Sequence, residues 1–230
     1  MSASNVTARE GTRGPGSLGT APTPHGGPAG GGDGSRQEDI SVGVILGFPA
    51  EVASELQSWR ASFGDPLAEV VPAHITLVTT TPTTDWDATL AHVRSVARGQ
   101  RPFRVTISGT GTFRPVSPVV FIKVEDGFAE CVDLHGKLQQ GPLHRDLPFA
   151  YHPHVTIAHD VAPESLDEAE TVLKSYRASF PVASMGLYEH GADGIWQLRE
   201  ELDFGTETDN NAGTRHKNSA RDAGDAAASH

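Results

Sequence analysis

AYHPHVTIAHD, residues 150–160, places three histidines and one threonine within eleven positions. Its inner unit, His154-Val155-Thr156-Ile157, has a counterpart eighty residues earlier in AHITLV (73–78), as His74-Ile75-Thr76-Leu77. In an extended chain, successive side chains point to opposite faces. His74 and Thr76 then share one face while Ile75 and Leu77 anchor the strand in a core. His154 and Thr156 do the same over Val155 and Ile157. Each unit presents an imidazole beside a hydroxyl, with Cα atoms about 7 Å apart.

The surrounding pattern repeats as well. Residues 40–48 (ISVGVILGF) suit a buried strand. A helix over 49–64 follows, with Val52, Leu56, Trp59 and Phe63 on one stripe and Gly64 as its stop. After the first His-Thr strand, Trp86, Leu90, Val93 and Ala97 mark a helix over 83–99, and 103–109 with 117–124 read as a hairpin around GTGTF. The order then restarts. Phe128, Cys131, Leu134 and Leu138 line a helix, HVTIAH is a strand, and Leu166, Ala169, Leu173, Tyr176 and Phe180 predict a helix over 163–180. Residues 181–190 and 193–202 close the chain as a second hairpin. Each half reads helix, His-Thr strand, helix, hairpin, which predicts a duplicated α+β unit.

Composition sets the boundaries. Residues 1–38 are rich in Gly and Pro and 205–230 are polar, so neither stretch offsets its ordering entropy by burial and both read as disordered tails. The expected domain is 39–204, large enough for one apolar interior. The two tails together carry a net −1, so −10 of the total −11 lies in that domain. An acidic domain disfavours diffuse binding along a long polyanion but leaves room for a small phosphodiester in a local pocket. Cys131 is the only cysteine, which excludes an internal disulfide and a thiolate zinc site. With no apolar leader and no long apolar run, the expectation is a soluble, cytoplasmic monomer without membrane or stable protein partners.

If the halves pack about a pseudo-twofold axis, two imidazoles and two hydroxyls converge on one cleft. In-line displacement at phosphorus needs a base for the nucleophile and an acid for the leaving oxygen. Histidine serves either role near neutrality. Threonine hydroxyls can donate to the non-bridging oxygens, so no metal or cofactor is required. Two other readings stand beside this one. His152, His154 and His159 have spacing that could ligate a metal in an all-β barrel, against which the helical stripes count. The same fold could also hold a nucleotide without turning it over.

The paired HITL and HVTI motifs, their spacing, the Pro-His before the second and the repeated order resemble the 2H phosphoesterase superfamily, within it the 2′-5′ RNA ligases or RNA 2′,3′-cyclic phosphodiesterases. The resemblance implies a bilobal α+β fold, antiparallel sheets lining a central cleft with helices outside. It implies metal-free action on 2′,3′-cyclic or 2′-5′ phosphodiester bonds, with a small cyclic nucleotide or an RNA 3′ end as the bound partner. Carried over by motif, His74 and His154 are the acid/base pair and Thr76 and Thr156 hold phosphate. The family's second motif is often followed by an Arg where this chain has His159, which faces the cleft only if the strand ends or bulges first. His152 and Tyr151 are expected at the cleft rim, with Phe113 and Arg114 as further rim candidates.

Overall fold

Both His-Thr strands lie at sheet edges, one in each of two four-stranded antiparallel sheets. The computed structural model describes residues 40–191 and 196–205; the two predicted tails lie outside them, apart from Gly205. In chain order the elements are β1 (Ile40–Leu46), α1 (Ala50–Ser62), β2 (Ile75–Thr83), α2 (Trp86–Gly99), β3 (Phe103–Thr112) and β4 (Val119–Val124). They continue with α3 (Phe128–Leu138), β5 (His154–His159), α4 (Pro163–Val172), β6 (Arg177–Val182), β7 (Ser184–His190) and β8 (Trp196–Asp203). The first sheet runs β2-β1-β7-β8 and the second β5-β4-β3-β6. Prolines within strands sit where no ladder bond is lost: Pro82 in β2 and Pro181 in β6 are both on edge strands.

The duplication holds, but the halves are interleaved. The hairpin β3–β4 belongs to the sheet carrying His154, and the terminal hairpin β7–β8 returns to the sheet carrying His74. The chain crosses between sheets at Ala183, the single residue separating β6 from β7. Helices are exchanged too. α1 leaves the first sheet and packs on β5 of the second, whereas α3 leaves the second and packs on β2 of the first. α2 covers β7 and β8, and α4 covers β3, β4 and β5.

The strand anchors lie where alternation places them: Ile75, Leu77, Val155 and Ile157 are fully buried, together with Leu56, Ile107, Ile122 and Leu187. Asp85 caps α2 by accepting from the Ala88 N–H at 2.9 Å. One predicted element is corrected. The helix expected to reach Phe180 ends at Val172, and residues 177–182 form β6 against β3. Ala178, Phe180 and Val182 point inward while Arg177, Ser179 and Pro181 are exposed, a period of two that the helical spacing of Tyr176 and Phe180 concealed. Among the described residues no helix is long and apolar enough to cross a membrane.

Candidate active site

Each motif strand carries the same defect at the same place. Ile45 pairs with Thr76 but Val44 pairs with Val78, leaving Leu77 as an extra residue in β2. Phe121 pairs with Thr156 but Val120 pairs with Ala158, leaving Ile157 as an extra residue in β5. Leu77 and Val78 are both buried, as are Ile157 and Ala158. A bulge resets alternation, so the residues after it, Thr79 and His159, return to the face that carries the His-Thr pair. His159 is thus directed to the cleft side, with Nε2 3.5 Å from Asp160 Oδ2. Thr79 and His159 each stand five residues after a motif histidine, and the repeat extends that far.

The two imidazoles are anchored alike. Nδ1 of His74 donates to the Pro72 carbonyl at 2.7 Å, and Nδ1 of His154 donates to the His152 carbonyl at 2.7 Å. A carbonyl can only accept, so Nδ1 carries the proton in the neutral ring and Nε2 is left with its lone pair. At His74 that nitrogen is 3.0 Å from Thr76 Oγ1, whose hydroxyl can donate to it. Both rings are held below the ordinary histidine value of 6.5. For His74, burial dominates, the Pro72 bond opposes it, and the positive charge of Arg60 and of protonated His154 lowers the value further. For His154, burial again leads, opposed by the His152 carbonyl and assisted by the His152 ring. His74 feels the charge of His154, so the two motifs share one electrostatic environment.

A brace ties the motifs together across the sheets. Tyr151, three residues before His154, donates its hydroxyl to the Thr76 carbonyl at 2.8 Å. His135 of α3 donates from Nδ1 to the next carbonyl, Leu77, at 2.7 Å, and its ring stacks on Tyr151 with centroids 4.0 Å apart. These carbonyls lie at the β2 bulge, on an edge strand of the first sheet. Tyr151 was expected at the rim; instead its hydroxyl and one ring face are used internally. On the other side, buried Arg60 pairs with Asp65 at 3.0 Å and bonds Gln57 Oε1 and the Val71 carbonyl. Gln57 also accepts from the Ala73 N–H at 3.0 Å, so α1 fixes the loop that delivers His74.

Of the other candidates, Phe113 meets His154 edge-on, with centroids 4.9 Å apart and planes at 90°. His152 is exposed, its ring 6.4 Å from His154 and within 6.0 Å of Phe113, Phe121 and Phe128. Phe113, Val116, Phe149, His152 and His154 line a cavity of about 380 Å³. Arg114 is turned outward to α4, bonded to Asp167 and Glu170 at 2.7 Å each. His152, His154 and His159 do not converge on a metal-sized point; among the described residues no three His, Cys, Asp or Glu do. The Cys131 thiol, buried in α3, is pushed up to about 12 by desolvation and the nearby Glu130, as befits a packing residue. Trp196, 6.3 Å from His74, escaped the sequence reading.

Comparison with known proteins agrees with this architecture. A sequence profile of the 2′-5′ RNA ligase superfamily matches residues 48–194. A protein of Bacillus pumilus, named provisionally as a phosphoesterase, is 28% identical over 173 residues, covering 73% of this chain and 99% of its own. A similarly named Bacillus mycoides protein is 24% identical over 174 residues, with the same coverage of each chain. Among solved structures, E. coli LigT complexed with 3′-AMP superposes with a TM-score of 0.53 at 19% identity, covering 74% of this chain and all of its own. A Thermus thermophilus protein superposes at 0.51 with 21% identity, covering 73% of this chain and 99% of its own. The structural matches fix the fold, the family supports a phosphoesterase activity, and the chain belongs to the 2′-5′ RNA ligase superfamily, the 2H phosphoesterases.

Proposed function

We propose that the protein is a metal-independent phosphodiesterase acting on 2′,3′-cyclic or 2′-5′ phosphodiester bonds of nucleotides or RNA ends, with His74 and His154 as the acid/base pair. The matched anchoring of the two rings carries this reading: the same Nδ1–carbonyl bond leaves each Nε2 with its lone pair in the neutral ring. For a 2′,3′-cyclic substrate, one Nε2 takes a proton from the attacking water as its oxygen bonds phosphorus. The other ring, protonated, gives a proton to the 2′ or 3′ oxygen as its P–O bond breaks. Thr76 and Thr156 donate to the non-bridging oxygens, where charge accumulates in the transition state.

Burial lowers the pKa of both rings, with the Arg60 and His154 charges adding to it at His74, and either ring can serve as base while the other serves as acid when the cyclic bond is opened. The E. coli relative solved with 3′-AMP makes a nucleotide a reasonable occupant of the same fold.

The test is single-turnover assay of the wild type, His74→Ala and His154→Ala on a 2′,3′-cyclic nucleotide, with folding checked by circular dichroism. Each single variant is expected to lose a factor of about 10² to 10⁴, and the double variant little more. A folded single variant turning over at the wild-type rate would overturn the paired mechanism.

A further inference from the structure

The two motif histidines are anchored by the same bond but through different linkers. In each unit the ring Nδ1 donates to the carbonyl two residues earlier, Pro72 for His74 and His152 for His154, both at 2.7 Å. The residue between carbonyl and histidine is Pro153 in the second unit and Ala73 in the first. A proline ring fixes φ and leaves no N–H to satisfy, so the second linker is stiff by itself. Ala73 has neither property. It is 3% exposed, and its N–H needs an acceptor within the protein.

Gln57 supplies that acceptor. From α1 its Oε1 accepts from the Ala73 N–H at 3.0 Å, and its Nε2 donates to the Val71 carbonyl at 3.3 Å. One amide thus grips the residue on each side of Pro72. Arg60, about one turn further along α1, holds the amide in place. Its Nη1 donates to Gln57 Oε1 at 3.1 Å and to the Val71 carbonyl at 2.5 Å, while its Nε donates to Asp65 Oδ2 at 3.0 Å. Pro72 itself is exposed. Water can compete for its carbonyl and for the histidine Nδ1, so the bond between them depends on the backbone to either side being held.

We propose that Gln57 is a positioning residue for His74: by holding Val71 and Ala73 it keeps the Pro72 carbonyl on Nδ1 and so fixes the tautomer of the neutral ring. A side chain does in the first half what Pro153 builds into the backbone of the second. Without it the imidazole is free to carry its proton on Nε2, where it can no longer take one up. The requirement is the same whether His74 takes a proton or gives one, since both need Nδ1 to keep its own. The inference rests on the reading above that His74 exchanges a proton at Nε2.

The test uses the full chain, with isotope-labelled histidine, as wild type, Gln57→Met, Gln57→Ala and Gln57→Glu, folding being checked by circular dichroism. Gln57 is half-buried and lines an open groove of about 550 Å³ with Ala53, Ser54 and Pro72, so each change can be accommodated. Two-bond nitrogen–proton spectra at alkaline pH, where both rings are neutral, read each tautomer. The kcat and KM on adenosine 2′,3′-cyclic phosphate are then measured at each variant's own pH optimum. A neutral hydrogen bond is worth about two- to tenfold, and Gln57→Met removes two that hold the turn. We expect His74 alone to lose its Nδ1–H signature in Gln57→Met and Gln57→Ala, with kcat down about five- to a hundredfold and KM little changed. Gln57→Glu keeps the acceptor for Ala73 and should restore both, while His154 keeps its tautomer throughout. A folded Gln57→Met or Gln57→Ala with the wild-type His74 tautomer would overturn the proposal. Failure of both to fold would do so too, by making Gln57 a residue of stability alone. A shifted tautomer with unchanged kcat would leave Gln57 positioning His74 but strike His74 from the chemistry, and with it the paired-histidine reading.

Discussion

Tyr151→Phe isolates the brace between the two motifs. The substitution keeps the ring on His135 and deletes one atom, the hydroxyl that donates to the Thr76 carbonyl at 2.8 Å. A neutral hydrogen bond contributes about 0.5–1.5 kcal/mol net, and a buried carbonyl left without a partner costs about 1–3 kcal/mol. The site is half-buried, and water can reach part of the gap, so about 1–2 kcal/mol is the expected loss. For a domain of this size that is a fall of roughly 2–8 °C in melting temperature. The same carbonyl belongs to the residue whose hydroxyl sits 3.0 Å from His74 Nε2, so loosening it should lower kcat several-fold. KM and the shape of the pH profile should stay put, because Tyr151 neither titrates in range nor offers its hydroxyl to a ligand. His135→Ala should act on the adjacent Leu77 carbonyl, and the two changes should couple in a double-mutant cycle because the rings stack. Wild-type melting and wild-type kcat in Tyr151→Phe would refute the brace. A rise in KM alone would return Tyr151 to the substrate-contacting role expected from sequence.

Acidity should act on both rate and stability. Both motif histidines titrate below 6.5, so the form with one ring charged and one neutral is most populated on the acid side, and a rate–pH profile of the free enzyme should peak below 6.5. Between each folded value and 6.5 the unfolded state binds more protons than the native one, so stability should fall as pH drops through that window. Denaturant melts at pH 7.5 and 5.5 would show it, and greater stability at 5.5 would contradict the burial of the rings. Asp65→Asn strips the partner from a guanidinium only 5% exposed and should cost about 3–5 kcal/mol, with loss of order in the 65–73 loop; an unchanged melt would mean Arg60 is satisfied by Gln57 and Val71 alone. Residues 40–124 expressed alone should not fold, because β1 would lack β7 and β4 would lack β5; a cooperative melt of that fragment would refute the interleaving.

What could be read from sequence was whatever depends on neighbours within a few residues. The His-x-Thr alternation needs only the two-residue period of a strand, and the α2 and α3 stripes only the helical period. The rest is set by partners distant in the chain. Nothing local distinguishes SYRASFPV as helix or strand; pairing with β3 decides it, and Pro181 is tolerated because β6 is an edge. The exchange of hairpins between sheets depends on which strand lies beside β1 and β4. The bulges at Leu77 and Ile157 are visible as buried pairs, Leu-Val and Ile-Ala, but only the register against β1 and β4 shows that they return Thr79 and His159 to the cleft face. Arg60 sits in a helical position that reads as surface, and its burial follows from Asp65 and the Val71 carbonyl folding back over it.

The interleaving accounts for how two edge strands can hold a catalytic geometry at all. An edge strand has one free side, and a bulge weakens the ladder on the other, so each motif would be poorly fixed by its own sheet. The structure supplies the missing constraints from the opposite half. α3, which follows β4 of the second sheet, lends His135 to β2, and the segment leading into β5 lends Tyr151 to the same strand. α1, which follows β1 of the first sheet, packs on β5 while its Arg60 and Gln57 hold the loop before His74. Each histidine is thus aligned by atoms that move with the other one, and the spacing of the pair depends on the packing between halves more than on either sheet.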